Sequence, residues 1–351
     1  MIHHVFLTGA NGLLGHNLTR ELLQRGYRIT AFVPAHESVK HLPSHPLLEI
    51  RRGNLLSYEE VESAMADCDY VIHAGANTSV LPARHPMIHK VNVDGTQHVI
   101  NAALAHGVQK MVYVASANIF GYGTLEQPGD ETTPYACEPF GMDYHHSKLM
   151  AYQAVQKAVQ ERGLPALTVC PTFMLGAYDA KPSSGSMLVA LYNGKIPGFA
   201  SGGRNYVHVL DVAEGIIAAL ESGPVGEAYI LGNRNMDYKS AFQLMAGVMN
   251  IDPPKMRYPD FLIKAFGALS SFWAFLRGKL PTISYKMSRV ACAGFYYSPA
   301  KAVRELHLPQ RPIEQAVADA MTWFNQNGYV SGYKNEETEA STDLQYEKAS
   351  I

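Results

Sequence analysis

The chain has 351 residues, of which 47% are hydrophobic and 17% charged, and a formal net charge of −2. Such a length accommodates one large α/β domain with a smaller one beside it, and can bury a substantial core. So slight an acidic excess argues against a nucleic-acid or anionic-membrane binder dominated by phosphate contacts. Cys68, Cys137, Cys170 and Cys292 show no CxxC spacing, so neither a zinc site nor a disulfide framework is expected.

The N-terminal "MIHHVFLTGA" has no basic region followed by a long apolar run. No secretory signal is read there, and with scattered cysteines a reducing, cytoplasmic setting is expected. "HHVFLTGANGLLGHNLTRELLQRGYRITAFV" reads as strand, glycine turn, helix and strand. The run Val5 to Leu7 is stopped by Gly9, and Leu14, Leu18 and Leu22 then recur every four residues on one helical face. Buried parallel strands are predicted at "YVIHAG" (70–75), "KMVYVAS" (110–116) and "ALTVCP" (166–171). Between them lie helical stretches, "VDGTQHVINAALAHG" and "MAYQAVQKAVQERG", each ending at a glycine. This alternation predicts an α/β fold, a Rossmann-like doubly wound parallel sheet over residues 1–175 with helices on both faces.

Beyond residue 175, "GAYDAKPSSGS" and "NGKIPGFASGGRN" read as loops. "YVHVLDVAEGIIAAL" then brings a returning strand and helix near 205–222, and residues 176–330 are expected to form a smaller C-terminal α+β substrate domain. Residues 257–280 are apolar nearly all round, with a stripe of Leu262, Phe266, Leu269, Trp273 and Leu276 interrupted by Lys264 and Arg277. The segment is too short to span a bilayer and is expected to be a buried helix. A substrate lid, an oligomer contact and membrane-surface attachment are the other readings. The polar, acidic tail from 331 to 351 is expected to be disordered.

"TGANGLLG" sets Gly9, Gly12 and Gly15 three apart between a strand and a helix. Glycines there permit a tight turn and a close approach to a pyrophosphate, whose charge meets the helix N-terminus. The turn residues Gly9, Asn11, Gly12, Leu13, Leu14 and Gly15 are therefore the candidate dinucleotide cradle. With this turn the chain resembles the extended short-chain dehydrogenase/reductase family, over roughly residues 1–325. "RRGNLLSYEEVESAMADCDYVIHAGA", "VNVDGT" and "VHVLDVA" are similar to further segments of that family. The resemblance implies that Asn54 (where Asp is usual) and Leu55 lie at the adenine, and that His73, Ala74, Gly75 and Asn92 lie along the cofactor. It also implies that Pro171 closes over the nicotinamide. An acidic residue at the end of the second strand would favour NAD, and a basic one NADP. Here Val33 and Pro34 are neither, His36, Glu37 and Lys40 follow, and the balance for NAD(P) tips slightly to NADP.

"MDYHHSKLMAYQAV" places Tyr144 and Lys148 on one face of a helix. A free phenol titrates near 10; an adjacent ammonium favours the phenolate and is expected to lower that value. A phenol so tuned can exchange a proton with a carbonyl or hydroxyl oxygen. Ser116 ends a predicted strand, and the resemblance makes Ser116, Tyr144 and Lys148 the catalytic set, with Lys148 also holding the nicotinamide ribose. A second Tyr-x-x-x-Lys, Tyr297 to Lys301, lies past the cofactor domain and contains Pro299. His145 and His146 are expected to line a wall or meet solvent, His208 and Asp211 to anchor a strand, and no metal site is read.

Asn118 and Arg204 are the candidate substrate residues. Two functions fit the family. One is a ketone or aldehyde reductase (or alcohol dehydrogenase) similar to dihydroflavonol reductases and 3β-hydroxysteroid dehydrogenases. The other is a nucleotide-sugar epimerase, for which Arg204 offers a diphosphate partner. The reductase is preferred because "FGMDYHHSK" lacks the Tyr-Gly-x-Ser-Lys form frequent in sugar epimerases. A non-catalytic NAD(P)-binding regulator is a third reading, disfavoured by the retained Ser–Tyr–Lys set. The expected partners are a small carbonyl or alcohol substrate and, by resemblance, a second subunit in a homodimer packed through helices near 86–106 and 144–162. No integral membrane segment and no nucleic acid are expected.

Overall fold

The structure, a computed structural model, describes residues 2–333. It begins β1 (His4–Thr8), α1 (Leu13–Gln24), β2 (Arg28–Val33), β3 (Leu48–Arg52), α2 (Tyr58–Met65) and β4 (Tyr70–His73). After α3 (Pro86–His89) one π-helical turn, Lys90–Asp94, runs into α4 (Gly95–His106). β5 (Lys110–Val114), α5 (Asp143–Arg162) and β6 (Ala166–Pro171) follow. The order of the large sheet is β3-β2-β1-β4-β5-β6, and a seventh strand, at 228–231, closes its far edge. Every pairing in it is parallel. β1 and β6 are buried along their whole length, as befits continuous apolar strands covered on both faces. α4 and α5 end at Gly107 and Gly163, both left-handed, so the helix stops read from glycine have their conformational cause.

A smaller unit follows. β7 (Phe173–Leu175), α6 (Ser186–Tyr192), β8 (Gly203–His208) and α7 (Val209–Ser222) lead to β9 (Ala228–Leu231), the seventh strand of the large sheet. β10 (Arg234–Asp237) pairs antiparallel with β8, while β7 and the short β11 (Gly294–Phe295) pair parallel with it. The returning strand expected near 205 is thus shared out: β8 joins the small sheet, while α7 packs on α1 and β9 completes the large one. α8 (Tyr238–Met249), α9 (Asp260–Leu276), α10 (Tyr285–Ala291), α11 (Ala300–Leu306) and α12 (Ile313–Gln326) complete the chain.

Three apolar cores hold these layers. Two lie on opposite faces of the large sheet, and the third joins β7, β8, α6, α8 and α12 around Tyr206, Phe242 and Phe324. His208 and Asp211 are structural: His208 Nε2 meets Asp319 at 3.0 Å, and the Asp211 carboxylate accepts from the Arg311 backbone N–H at 2.9 Å. Of the tail expected to be disordered, Tyr333 is buried beside Tyr192, and 334–351 fall outside the described residues.

The helix expected to be buried near 257–280 is a correction. In α9 the buried residues are Gly267 and Ala274, whereas Phe261, Phe266, Leu269, Phe272, Trp273, Phe275 and Leu276 are all exposed. The cause is steric. α9 presses on α10 through small side chains, and a Cβ on Gly267 would sit 2.5 Å from Ser288 Oγ. The bulky residues are left on the outer face. No helix among the described residues is long and apolar enough to cross a membrane.

Candidate active site

A crevice of about 700 Å³ opens along the carboxyl ends of β1, β2, β4 and β5, where open α/β sheets hold their ligands. Its floor is the β1–α1 turn. Gly9 has a φ of +73° and lies so close to Gly75 that a Cβ would come within 2.8 Å of its Cα. A Cβ on Gly15 would be 2.1 Å from the Gly9 carbonyl oxygen, so that glycine is demanded by the protein's own packing. Gly12 differs. The nearest atom to a Cβ there is 3.5 Å away, and its φ of −91° suits any residue. The protein itself leaves room for a side chain at Gly12, at the N-cap of α1 and on the crevice wall. A phosphate brought against the first N–H groups of α1 would use that room. The turn therefore fits a dinucleotide pyrophosphate.

Ser116, Tyr144 and Lys148 line this crevice together with Gly9, Asn11, Gly12, Leu13, Leu14, Gly15, Leu55, Ala74, Gly75 and Pro171. Ser116 follows β5 and caps the 3₁₀ turn 117–119, its Oγ accepting from the Asn118 N–H at 3.3 Å. Tyr144 stands in the first turn of α5, on the same crevice wall as Ser116. One turn on, the buried Lys148 donates from Nζ to the Val114 carbonyl at 2.8 Å and lies 5.2 Å from the centre of the Tyr113 ring. Burial lowers the lysine to about 8.

The expected lowering of the Tyr144 phenol is not found. Burial pushes it up, and the nearby Ser116 side chain only partly opposes this. The reason is geometric: the ammonium is directed at a backbone carbonyl, while the phenol loses solvent.

Other residues expected at the cofactor stand one layer back. His73 is buried, its Nδ1 2.7 Å from Thr8 Oγ1 and its Nε2 3.0 Å from Thr96 Oγ1. Burial, then the Lys148 charge, lowers it to about 3. Asn92, in the π turn, accepts from the Asn77 N–H at 2.7 Å and donates to the Asn77 carbonyl at 3.0 Å and to Ser147 Oγ at 2.9 Å. It ties the β4 loop to the helix bearing Tyr144. Asn54 turns to its own backbone, accepting from the Leu56 N–H at 3.0 Å. Phe32 and Gly53 stand beside Leu55 on the wall instead. Residue type alone gave no signal for those two.

The sequence also gave little notice of Asn77, Thr172, Met174 and Lys181 on the wall. The loop "GAYDAKPSSGS" was its one hint. Asp179 folds that loop inward by accepting from the Ser183 and Gly185 N–H groups at 2.9 and 3.0 Å. Lys181 then reaches Glu37, which also accepts from Asn11 Nδ2 at 3.4 Å.

Asn118 and Arg204 lie off the crevice wall. Asn118 Oδ1 accepts from the Tyr297 hydroxyl at 3.1 Å, so Tyr297 buttresses the 3₁₀ turn, while Lys301 Nζ donates to the Ala228 carbonyl at 2.9 Å. The Arg204 guanidinium stacks 4.4 Å from the Phe295 ring. His145 is buried beside Phe140 and Phe295, and His146 is exposed beside His89. Among the described residues no group of three His, Cys, Asp or Glu is placed to hold a metal.

The NAD-dependent epimerase/dehydratase family model matches residues 5–232. A Synechocystis protein named "Putative dihydroflavonol 4-reductase" is 29% identical, over 93% of this chain and 95% of its own. A Stigmatella aurantiaca 4-hydroxy-2-methyl-3-oxo-4-farnesyl-3,4-dihydroquinoline-1-oxide ketoreductase is 34% identical, over 64% of this chain and 67% of its own. The crystal structure of gox2253 superposes with a TM-score of 0.81 at 31% identity, covering 93% of this chain and 99% of that one.

Proposed function

Because the chain belongs to the NAD-dependent epimerase/dehydratase family, we propose that it is an NAD(P)-dependent oxidoreductase that reduces a ketone or aldehyde, or oxidises the matching alcohol, on Ser116, Tyr144 and Lys148. The observation that carries this reading is that Ser116, Tyr144 and Lys148 line the same glycine-floored crevice, with Lys148 tied to the Val114 carbonyl one helical turn after Tyr144. In reduction Tyr144 gives its proton to the carbonyl oxygen, and Ser116 donates a second hydrogen bond to that oxygen as charge develops. A phenol held above its ordinary range keeps its proton until then, which suits the reductive direction. The nicotinamide, when bound, supplies the hydride. Lys148 holds the nicotinamide ribose and offers positive charge beneath the phenol.

The relatives named as reductases support a ketone-reducing role. At the adenosine end His36, Arg52 and Lys181 gather around Glu37. That balance favours a 2′-phosphate, hence NADP. The four free cysteines suit a reducing, cytoplasmic setting, and α3–α4 with α5 would form the seam of a homodimer. α9 faces outward, so a substrate lid formed by it plays no part in this reading.

Arg204 supports a second reading, a nucleotide-sugar epimerase. Its guanidinium is held by aromatic faces, 4.4 Å from Phe295 and 5.8 Å from Tyr238, close enough to His145 to help lower that imidazole. A diphosphate would suit such a cation. Incubation with NADPH or NADH and a panel of ketones separates the two. The reductase reading expects one cofactor oxidised per ketone reduced. Tightly retained cofactor, a copurifying nucleoside diphosphate and no net consumption would replace it with the epimerase.

A further inference from the structure

Helix α9 presents a continuous apolar face to the outside. Phe266, Leu269, Phe272, Trp273, Phe275 and Leu276 are each more than half exposed, Phe275 at 83%. Single exposed apolar residues are ordinary, but a contiguous patch of this kind marks an interaction surface. Its setting is basic. Between residues 255 and 289 stand seven Lys and Arg against one acid, Asp260, whose carboxylate already accepts from Ser201 Oγ at 2.8 Å. Lys255, Arg257, Arg277 and Lys279 are all exposed around the two ends of the helix. The Arg277 guanidinium lies 5.7 Å from the Trp273 ring centre, an aromatic and a cation side by side at one level.

We propose that α9 seats the protein on an anionic lipid bilayer, its aromatic and leucine side chains entering the boundary between headgroups and acyl chains while the flanking cations meet lipid phosphates. Helices with Phe, Trp and Leu on one side and Lys and Arg at the margins lie in that interface. The chain's net charge of −2 does not oppose this, because a charged surface is felt only within about a Debye length, ~8 Å in physiological salt. A second copy of the chain fits the patch less well. A two-fold contact would set this basic margin, with Asp260 as its one acid, against the same margin of the other copy, whereas anionic headgroups complement it.

The seat lies next to the proposed chemistry. α10, which packs on α9, holds the segment before α5: Arg289 Nη1 donates to the Pro139 carbonyl at 2.7 Å, and Lys286 Nζ meets the Gly141 carbonyl. Tyr144 follows three residues later. Docking through α9 therefore turns this side of the protein toward the membrane. The docking itself requires none of the chemistry assigned to Ser116, Tyr144 and Lys148.

The test mixes the full chain with vesicles of phosphatidylcholine, with and without phosphatidylglycerol. The chain has two tryptophans, one of which, Trp323, is buried, so an emission change reports Trp273. Co-sedimentation with the phosphatidylglycerol vesicles is expected, with a blue shift and quenching by brominated acyl chains. Binding should fall at least about tenfold at high salt or in Arg277→Glu/Lys279→Glu, and be lost in Phe272→Ser/Phe275→Ser. Trp273→Phe should bind yet lose the shift, and Tyr144→Phe should bind like the wild type. Failure to sediment with either vesicle would overturn the proposal. So would a dimer, in the absence of lipid, that Phe272→Ser/Phe275→Ser converts to a monomer.

Discussion

Lys148 Nζ donates to the Val114 carbonyl at 2.8 Å, so the lysine is pinned to the strand that delivers Ser116. The bond joins α5 to the end of β5 and sets the height of Tyr144 above the sheet. It also holds an amine in a buried place that disfavours its charge.

That strain gives a pH signature. Burial lowers Lys148 from 10.5 to about 8. Between those values the unfolded chain binds a proton that the folded chain has shed, so stability rises with pH across the window. Relative to Lys148→Met, the wild type should gain up to about 3 kcal/mol from pH 8 to 10.5. Urea denaturation of both proteins at several pH values measures it. A constant difference would show that the amine titrates normally.

His73 has the opposite dependence. It is lowered from 6.5 to about 3 by burial, then by Lys148. As pH falls from 6.5 the unfolded chain takes up a proton the folded chain refuses, so stability is lost down to about pH 3. His73→Phe takes one hydrogen bond each from Thr8 and Thr96, which keep those to Gly75 and Asn92, and should cost about 1–3 kcal/mol at pH 7. It should also flatten the acid limb of thermal melts, and an unchanged limb would remove His73 as its source.

The glycine turn separates packing from binding. Gly15→Ala drives a Cβ into the Gly9 carbonyl and should destabilise the fold by about 1–3 kcal/mol. Gly12→Ala has room within the protein and should melt within about 0.5 kcal/mol of the wild type, while binding NAD(P)H at least about tenfold more weakly by fluorescence titration. Equal cofactor affinity in Gly12→Ala would move the pyrophosphate elsewhere.

Glu37, held by Asn11 and Lys181, is the anion on the crevice wall where we place the adenosine. Glu37→Gln should raise affinity for NADPH several-fold with little change for NADH, and the gain should shrink as salt is added. Dissociation constants for the two cofactors at two ionic strengths decide the matter. A selective loss of NADH binding would instead make Glu37 the partner of a ribose 2′-hydroxyl.

Much of this architecture could be read from local pattern. The Val5–Leu7 run, the glycine turn and the Leu14–Leu18–Leu22 stripe place a strand, a loop and a helix without long-range information. Four-residue spacing sets Tyr144 and Lys148 on one face, and a strand end delivers Ser116 to the crevice. Periodicity could not say which face of α9 turns inward, because that depends on Gly267 and Ala274 meeting a helix some 20 residues further on. Nor could residue type foresee that Asn54 would bond its own loop, leaving Phe32 and Gly53 on the wall. The direction of the Tyr144 shift depended on how the folded chain buries the phenol, and on Lys148 aiming at a backbone carbonyl instead of at it.

Tyr144→Phe tests the central claim most directly, because it removes one oxygen and leaves the crevice shape intact. NAD(P)H should bind with unchanged affinity while ketone reduction falls by at least about a hundredfold. Turnover within a few-fold of the wild type, at equal cofactor occupancy, would contradict the account.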